Sequence, residues 1–99
     1  MQKTTHNKKD IEYAETIALQ AIHFILEDDI LRETFIRTTG ILPSDFQNLI
    51  NDQEFFAGSL DFLLEQDNQL IGFCSKYGLS PDEPAKARRL LPGATIDFN

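Results

Sequence analysis

The sequence is poor in cysteine, poor in basic side chains outside its two ends, and without a long apolar run. Cys74 is its single cysteine, which excludes an internal disulfide and suits a reducing compartment. No apolar stretch approaches the roughly 20 residues that cross a bilayer. The opening MQKTTHNKKD is basic but leads into an amphipathic segment carrying acids, unlike the apolar core of a leader peptide. A soluble cytoplasmic chain is expected. The five glycines stand singly, so there is no Gly-rich phosphate loop. His6 and His23 lie 17 positions apart with Cys74 far along the chain, which is no zinc-binding spacing. Glu27, Asp28, Asp29 and Glu33 cluster, and Glu27 and Asp29 recur as Glu65 and Asp67. They lack the spacing of a calcium loop, and helix capping accounts for them. Cys74, beside Phe73, has neither a neighbouring base nor a helix start to activate it, so a packing role is expected. No catalytic, cofactor-binding or metal-binding residue is assigned, and no enzyme is expected.

What is present is acid and oil. The 99 residues carry a net charge of −7, unevenly spread. Residues 1–9 hold three lysines and no acid; residues 10–75 hold thirteen carboxylates against Arg32 and Arg37; residues 76–99 have an excess of one positive charge. An acid field of this kind repels phosphate backbones and attracts basic partners. Hydrophobic residues make up 41%, eight of them Phe. That is ample for one domain's core, and a surplus left at the surface is expected to mark a partner site.

The apolar spacing is helical throughout, with no sustained period-two alternation. A first helix is predicted over about 11–27, with Ile11, Ala14, Ala18, Ala21, Ile22 and Ile25 on one stripe, Ile17 and Phe24 on a second, and Leu19 and Leu26 on a third. A helix apolar on most sides is surrounded by others, so this one is placed at the centre. Asp28 or Asp29 caps a second helix to Thr39, ended by Gly40. Ser44 with Gln47 makes a capping-box pattern for a short third helix to about Asn51. Asn51 or Asp52 caps a fourth over about 53–66. Asp67 caps a fifth to Tyr77, ended by Gly78. Ser80 or Asp82 caps the sixth, Asp82 being preferred because Pro84 then falls in the first turn, where its missing N–H does no harm. Pro92-Gly93 stops it. Gly58 and Gly72 fall inside helices, where each costs about 1 kcal/mol relative to Ala; close approach of another helix is the expected reason. The chain divides into a polar arm (1–9), one helical domain (10–93) and a tail (94–99).

Two stretches, FILEDDILRETFIRTTGILPSD (24–45) and FLLEQDNQLIGFCSKYGLSPDE (62–83), align at an offset of 38. Phe24, Leu26, Glu27, Asp29, Phe35, Gly40 and Pro43 match Phe62, Leu64, Glu65, Asp67, Phe73, Gly78 and Pro81. Each matched residue has a packing, capping or turning role. An all-α compact bundle of about six helices is expected, built from two related helix–turn–helix units about a pseudo-twofold axis.

The corner CSKYGLSPDEPAKARRLL (74–91) also has the outline of a DNA-reading helix-turn-helix. In that alternative Lys86, Arg88 and Arg89 would meet phosphates. Asp82 and Glu83 at the reading end, the lack of cations in the matching first corner and the acidic whole argue against it.

The segments TIALQAIHFILEDD, FIRTTGILPSDF, FLLEQDNQLIGFCSKYGL and ARRLLPG resemble a family of small, chiefly alphaproteobacterial proteins, domain of unknown function 3572, over residues 11–93. The resemblance implies a compact all-helical cytoplasmic protein and carries over no activity and no site residues. Leu42, where a capping Ser or Asp would be natural, departs from the expected pattern at the start of the third helix. The function expected is interaction: a small acidic adaptor or regulatory domain, its partner an unidentified protein or a second copy of the chain, with no cofactor and no membrane.

Overall fold

Carboxylates and left-handed glycines set most of the helix ends. The computed structural model describes residues 8–93. Among the described residues there are six helices and no strand: α1 Lys8–Glu27, α2 Asp29–Thr39, α3 Phe46–Leu49 entered by a 3₁₀ turn at Pro43–Asp45, α4 Gln53–Leu64, α5 Asp67–Tyr77 and α6 Glu83–Arg89. The all-α bundle is therefore the architecture. The first helix starts at Lys8, so Lys8 and Lys9 belong to it and not to a polar arm. The remainder of the arm, with His6, and the tail 94–99 lie outside the described residues.

Asp28 is the cap of α2: its backbone is extended and its carboxylate accepts the Leu31 N–H at 2.9 Å. Asp52 does the same for α4, accepting the Glu54 N–H at 2.8 Å. Gly40 and Gly78 close α2 and α5 with φ of 76° and 67°, a conformation cheap only for glycine. Two expected caps are displaced. Asp67 is the first residue of α5, behind Gln66; it faces the positive end of the helix from inside the first turn instead of capping it. Ser44 lies within the 3₁₀ turn because Pro43 starts the winding before it, and Asp45 Oδ2 takes the Leu42 N–H at 3.1 Å. That contact supplies the polar partner that Leu42 cannot. At the second corner α6 begins just after Asp82, with Pro84 in its first turn, yet the Asp82 side chain caps nothing. Glu83 does the work, accepting the Ser80 N–H at 2.8 Å.

The core follows from the stripes. α1 packs against α2, α4, α5 and α6 and buries Ala14, Ile17, Ala18, Ala21, Ile22 and Ile25. α4 is the more enclosed of the two, burying seven of its twelve residues, including Phe55, Phe56 and Phe62. Ser59, also buried, returns its hydroxyl to the Phe55 carbonyl at 2.8 Å. Phe35 of α2 meets Phe46, Phe55 and Phe62 edge-on, with centroids 6.1, 6.4 and 5.1 Å away. Such pairs add about 0.5–1.5 kcal/mol each beyond their buried area. A smaller group joins Phe73 to Phe24 and Tyr77.

α6 lies across α1 and α4, with Pro84, Ala87 and Leu91 turned inward. Two polar contacts fix it. Tyr13 of α1 donates its hydroxyl to Glu83 Oε1 at 2.8 Å, and Arg88 donates Nε–H to Asp61 of α4 at 2.6 Å.

The expected crowding at the helical glycines is not what the fold shows. A Cβ on Gly58 would meet nothing within 4 Å, and one on Gly72 would meet only the Phe24 ring at ordinary contact distance.

Candidate interaction surface

The third apolar stripe of α1 is where sequence and structure part. α3, one turn entered by the 3₁₀ turn at Pro43–Asp45, does not cover all of α1 beneath it. An open groove of about 300 Å³ results, lined by Ile22 and Leu26 of α1, Phe46 and Gln47 of α3, and Ile50 just beyond. Ile50 remains 39% exposed; Leu19, which shares the third stripe with Leu26, is 41% exposed and lies outside the groove's lining. The groove is almost entirely hydrocarbon, with Gln47 at its lip. The Phe surplus read from the sequence is largely absorbed by the core: Phe35, Phe46, Phe55, Phe56, Phe62 and Phe73 are all buried. The exposed oil is aliphatic instead.

A second hollow, about 270 Å³, is bounded by Leu70, Ile71, Cys74, Ser75, Leu79 and Pro81 at the α5 corner. Cys74 is buried in its wall. Burial, reinforced by the nearby Glu83 and Asp82 charges, holds its thiol above the ordinary range and therefore neutral. That is a packing thiol, in keeping with its alignment to the aliphatic Ile36.

A third hollow, about 250 Å³ between α4 and the chain after α6, is polar, with Glu54, Asp61 and Arg88 in its wall. Here the three cations of the DNA-reading alternative separate. Arg88 is turned inward, held by Asp61 and by the Pro92 carbonyl at 3.0 Å. Lys86 extends over the Tyr13 ring, 5.5 Å from its centroid. Arg89 is exposed. They do not form one cationic face, because Arg88 is spent on closing the fold.

The acids are dispersed in the same way. His23, exposed on α1, pairs with Glu27 at 3.0 Å, and Glu27 also bonds Lys76 of α5. The Lys76 hydrogen bond holds the Glu27 carboxyl below its usual range. The Ser80 N–H and the Tyr13 hydroxyl do the same for Glu83, while burial and Glu83 push the Tyr13 hydroxyl up to about 12. Among the described residues, no three His, Cys, Asp or Glu side chains converge as metal ligands would, and no helix is long and apolar enough to cross a membrane.

Residues 11–94 match a family described as "Protein of unknown function (DUF3572)". The chain belongs to that family. The DUF3572 match begins in the first turns of α1 and runs past α6, so it takes in all three hollows. No curated protein and no solved structure matches the chain.

Sequence reasoning missed the groove because it placed α1 at the centre, covered on all sides. No local signal announced it, because how α3 crosses α1 is a long-range outcome that the spacing of residues 43–51 does not encode.

Proposed function

We propose that this DUF3572 protein is a non-catalytic protein-interaction domain, a small acidic adaptor of the cytoplasm, and that the groove between α1 and α3 is its binding face. The observation that carries the reading is an open, almost wholly apolar groove walled by Ile22, Leu26, Phe46 and Ile50, with Ile50 39% exposed, on a domain with material enough to close it. An open apolar groove rimmed by polar residues is the usual form of a protein-binding site. The test is affinity capture from the native cell with the wild-type chain and with Ile50→Gln, alongside light scattering. The expected result is a partner enriched by the wild type and lost with the variant. A monomer that enriches nothing, or a partner indifferent to Ile50→Gln, would refute it.

We also infer that the two halves are copies of one helix–corner–helix unit about a pseudo-twofold axis. Supporting this, α2 and α5 each span eleven residues at the same offset of 38. Both corners use an acid three residues on to take a backbone N–H, Asp45 for Leu42 and Glu83 for Ser80. An experimental structure in which residues 17–49 superpose on 55–87 only through a rotation far from a twofold would overturn it.

A further inference from the structure

The polar hollow between α4 and the chain after α6 has charged groups in its own wall, and they do not all cancel. Glu54, Gly58 and Asp61 line it at i, i+4 and i+7 of α4, so they share one face of the helix. Pro92 and Gly93 line it from the other side. Arg88 joins the two sides, donating Nε–H to Asp61 at 2.6 Å and Nη1–H to the Pro92 carbonyl at 3.0 Å. That ion pair neutralises Asp61 and leaves Glu54 over. The Glu54 backbone N–H is taken by Asp52, but its carboxylate has no partner among the described residues. The free charge stands two turns from Asp61, about 10 Å along the axis of α4. Beside Asp61, Arg88 Nη2 makes no hydrogen bond within the described residues. Gly93 keeps that nitrogen uncovered, since a Cβ there would stand 3.3 Å from it. One end of the hollow thus offers a free anion and the other a free N–H donor.

Gly58 lies between them. A glycine inside a helix is destabilising, and packing within the fold does not account for this one, since a Cβ would meet nothing within 4 Å. What the glycine supplies is depth in a hollow of about 250 Å³. We propose that this hollow binds a small primary amine. Its ammonium pairs with Glu54, its alkyl chain lies over Gly58, and an uncharged oxygen at its far end, a hydroxyl or a carbonyl, accepts from Arg88 Nη2. An extended chain of roughly four to six carbons bridges the two ends. A carboxylate is the wrong second group, because it would stand against Asp61. A purely apolar ligand would strip water from three charged side chains and return nothing. The site shares no lining residue with the α1–α3 groove and stands or falls independently of it.

The test titrates aminopentanol, with its amine and hydroxyl at opposite ends, into the full chain and follows backbone amide NMR shifts. Pentylamine and hydroxypentanoate are run beside it. Aminopentanol should move Glu54, Gly58, Asp61 and Gly93. Pentylamine, which lacks the oxygen, should bind several-fold more weakly, and the anionic hydroxypentanoate should leave those amides where they are. Glu54→Gln, at an exposed position, should weaken aminopentanol about tenfold or more. Gly58→Ala should raise the unfolding midpoint and yet weaken the amine several-fold, a divergence that a purely structural glycine does not produce. The proposal is overturned if hydroxypentanoate moves the hollow as much as aminopentanol does, or if Glu54→Gln binds as well as the wild type. Gly58→Ala binding unchanged would remove the alkyl chain from α4 and with it the site. Shifts scattered over the acidic surface, instead of gathered at the hollow, would mean general charge screening and would overturn it as well.

Discussion

The two corners of the chain, Gly40–Phe46 and Gly78–Pro84, use the same devices and end in different ways. Each leaves its helix through a left-handed glycine, turns at a proline and returns a carboxylate to a backbone N–H. After the first corner come a 3₁₀ turn and one turn of α-helix; after the second comes a seven-residue α-helix that lies across α1 and α4. At the offset of 38, Ile50 corresponds to Arg88 and His23 to Asp61. In the second half that pair is an ion pair that helps hold α6 against α4. In the first half Ile50 is an uncovered side chain beside an apolar groove. The same turn chemistry thus frames a closed face and an open one, and the difference lies in what the following helix packs across and in one aliphatic-for-arginine exchange.

The comparison breaks most readily at its aromatic pair. Phe35→Ala should cost about 3–5 kcal/mol in urea unfolding. Its counterpart Phe73→Ala should cost less, since Phe35 meets three other rings edge-on and Phe73 meets two rings. Equal losses would mean the two halves share the core evenly. The corner glycines come next. Gly40→Ala and Gly78→Ala should each cost about 1–2 kcal/mol, as both force a Cβ into the left-handed region. Gly58→Ala should go the other way and stabilise by about 0.5–1 kcal/mol, because the helix gains propensity and the added methyl meets nothing. A destabilised Gly58→Ala would show that the α4 surface is more crowded than its geometry.

The smallest expected effect is the dependence on pH of the second corner alone. Glu83 has a lowered pKa in the fold, so its contribution is present above the ordinary carboxylate range and is lost as pH falls through its folded value. Tyr13 is raised to about 12 from 10.0. Its contribution is complete below pH 10.0 and is lost as pH rises toward 12. Tyr13→Phe should remove the alkaline loss and shrink the acid one, read from unfolding midpoints across pH.

Much of the fold was legible in the residues. The stripes of α1 and α4, the glycine stops and the caps at Asp28 and Asp52 follow from local rules acting within a turn of helix. Ser44 and Asp67 show the limit of those rules. Each is a good cap by type, but a proline before one and a one-residue shift in the other moved the cap elsewhere. The groove and the two contacts that hold α6 were harder to see. Tyr13 meets Glu83 across 70 positions and Arg88 meets Asp61 across 27, and no spacing in the chain announces either meeting. Arg88 read as a free cation for the same reason.

By itself the sequence determined that this is a helical, acidic domain and where most of its helices stop, because propensity, capping and left-handed glycine act between near neighbours. Only the tertiary structure decided which apolar stripe stays open. That outcome depends on whether a helix from elsewhere in the chain packs across it. α6 lies across α1 and α4, and α3 leaves the side of α1 at Ile22 and Leu26 open.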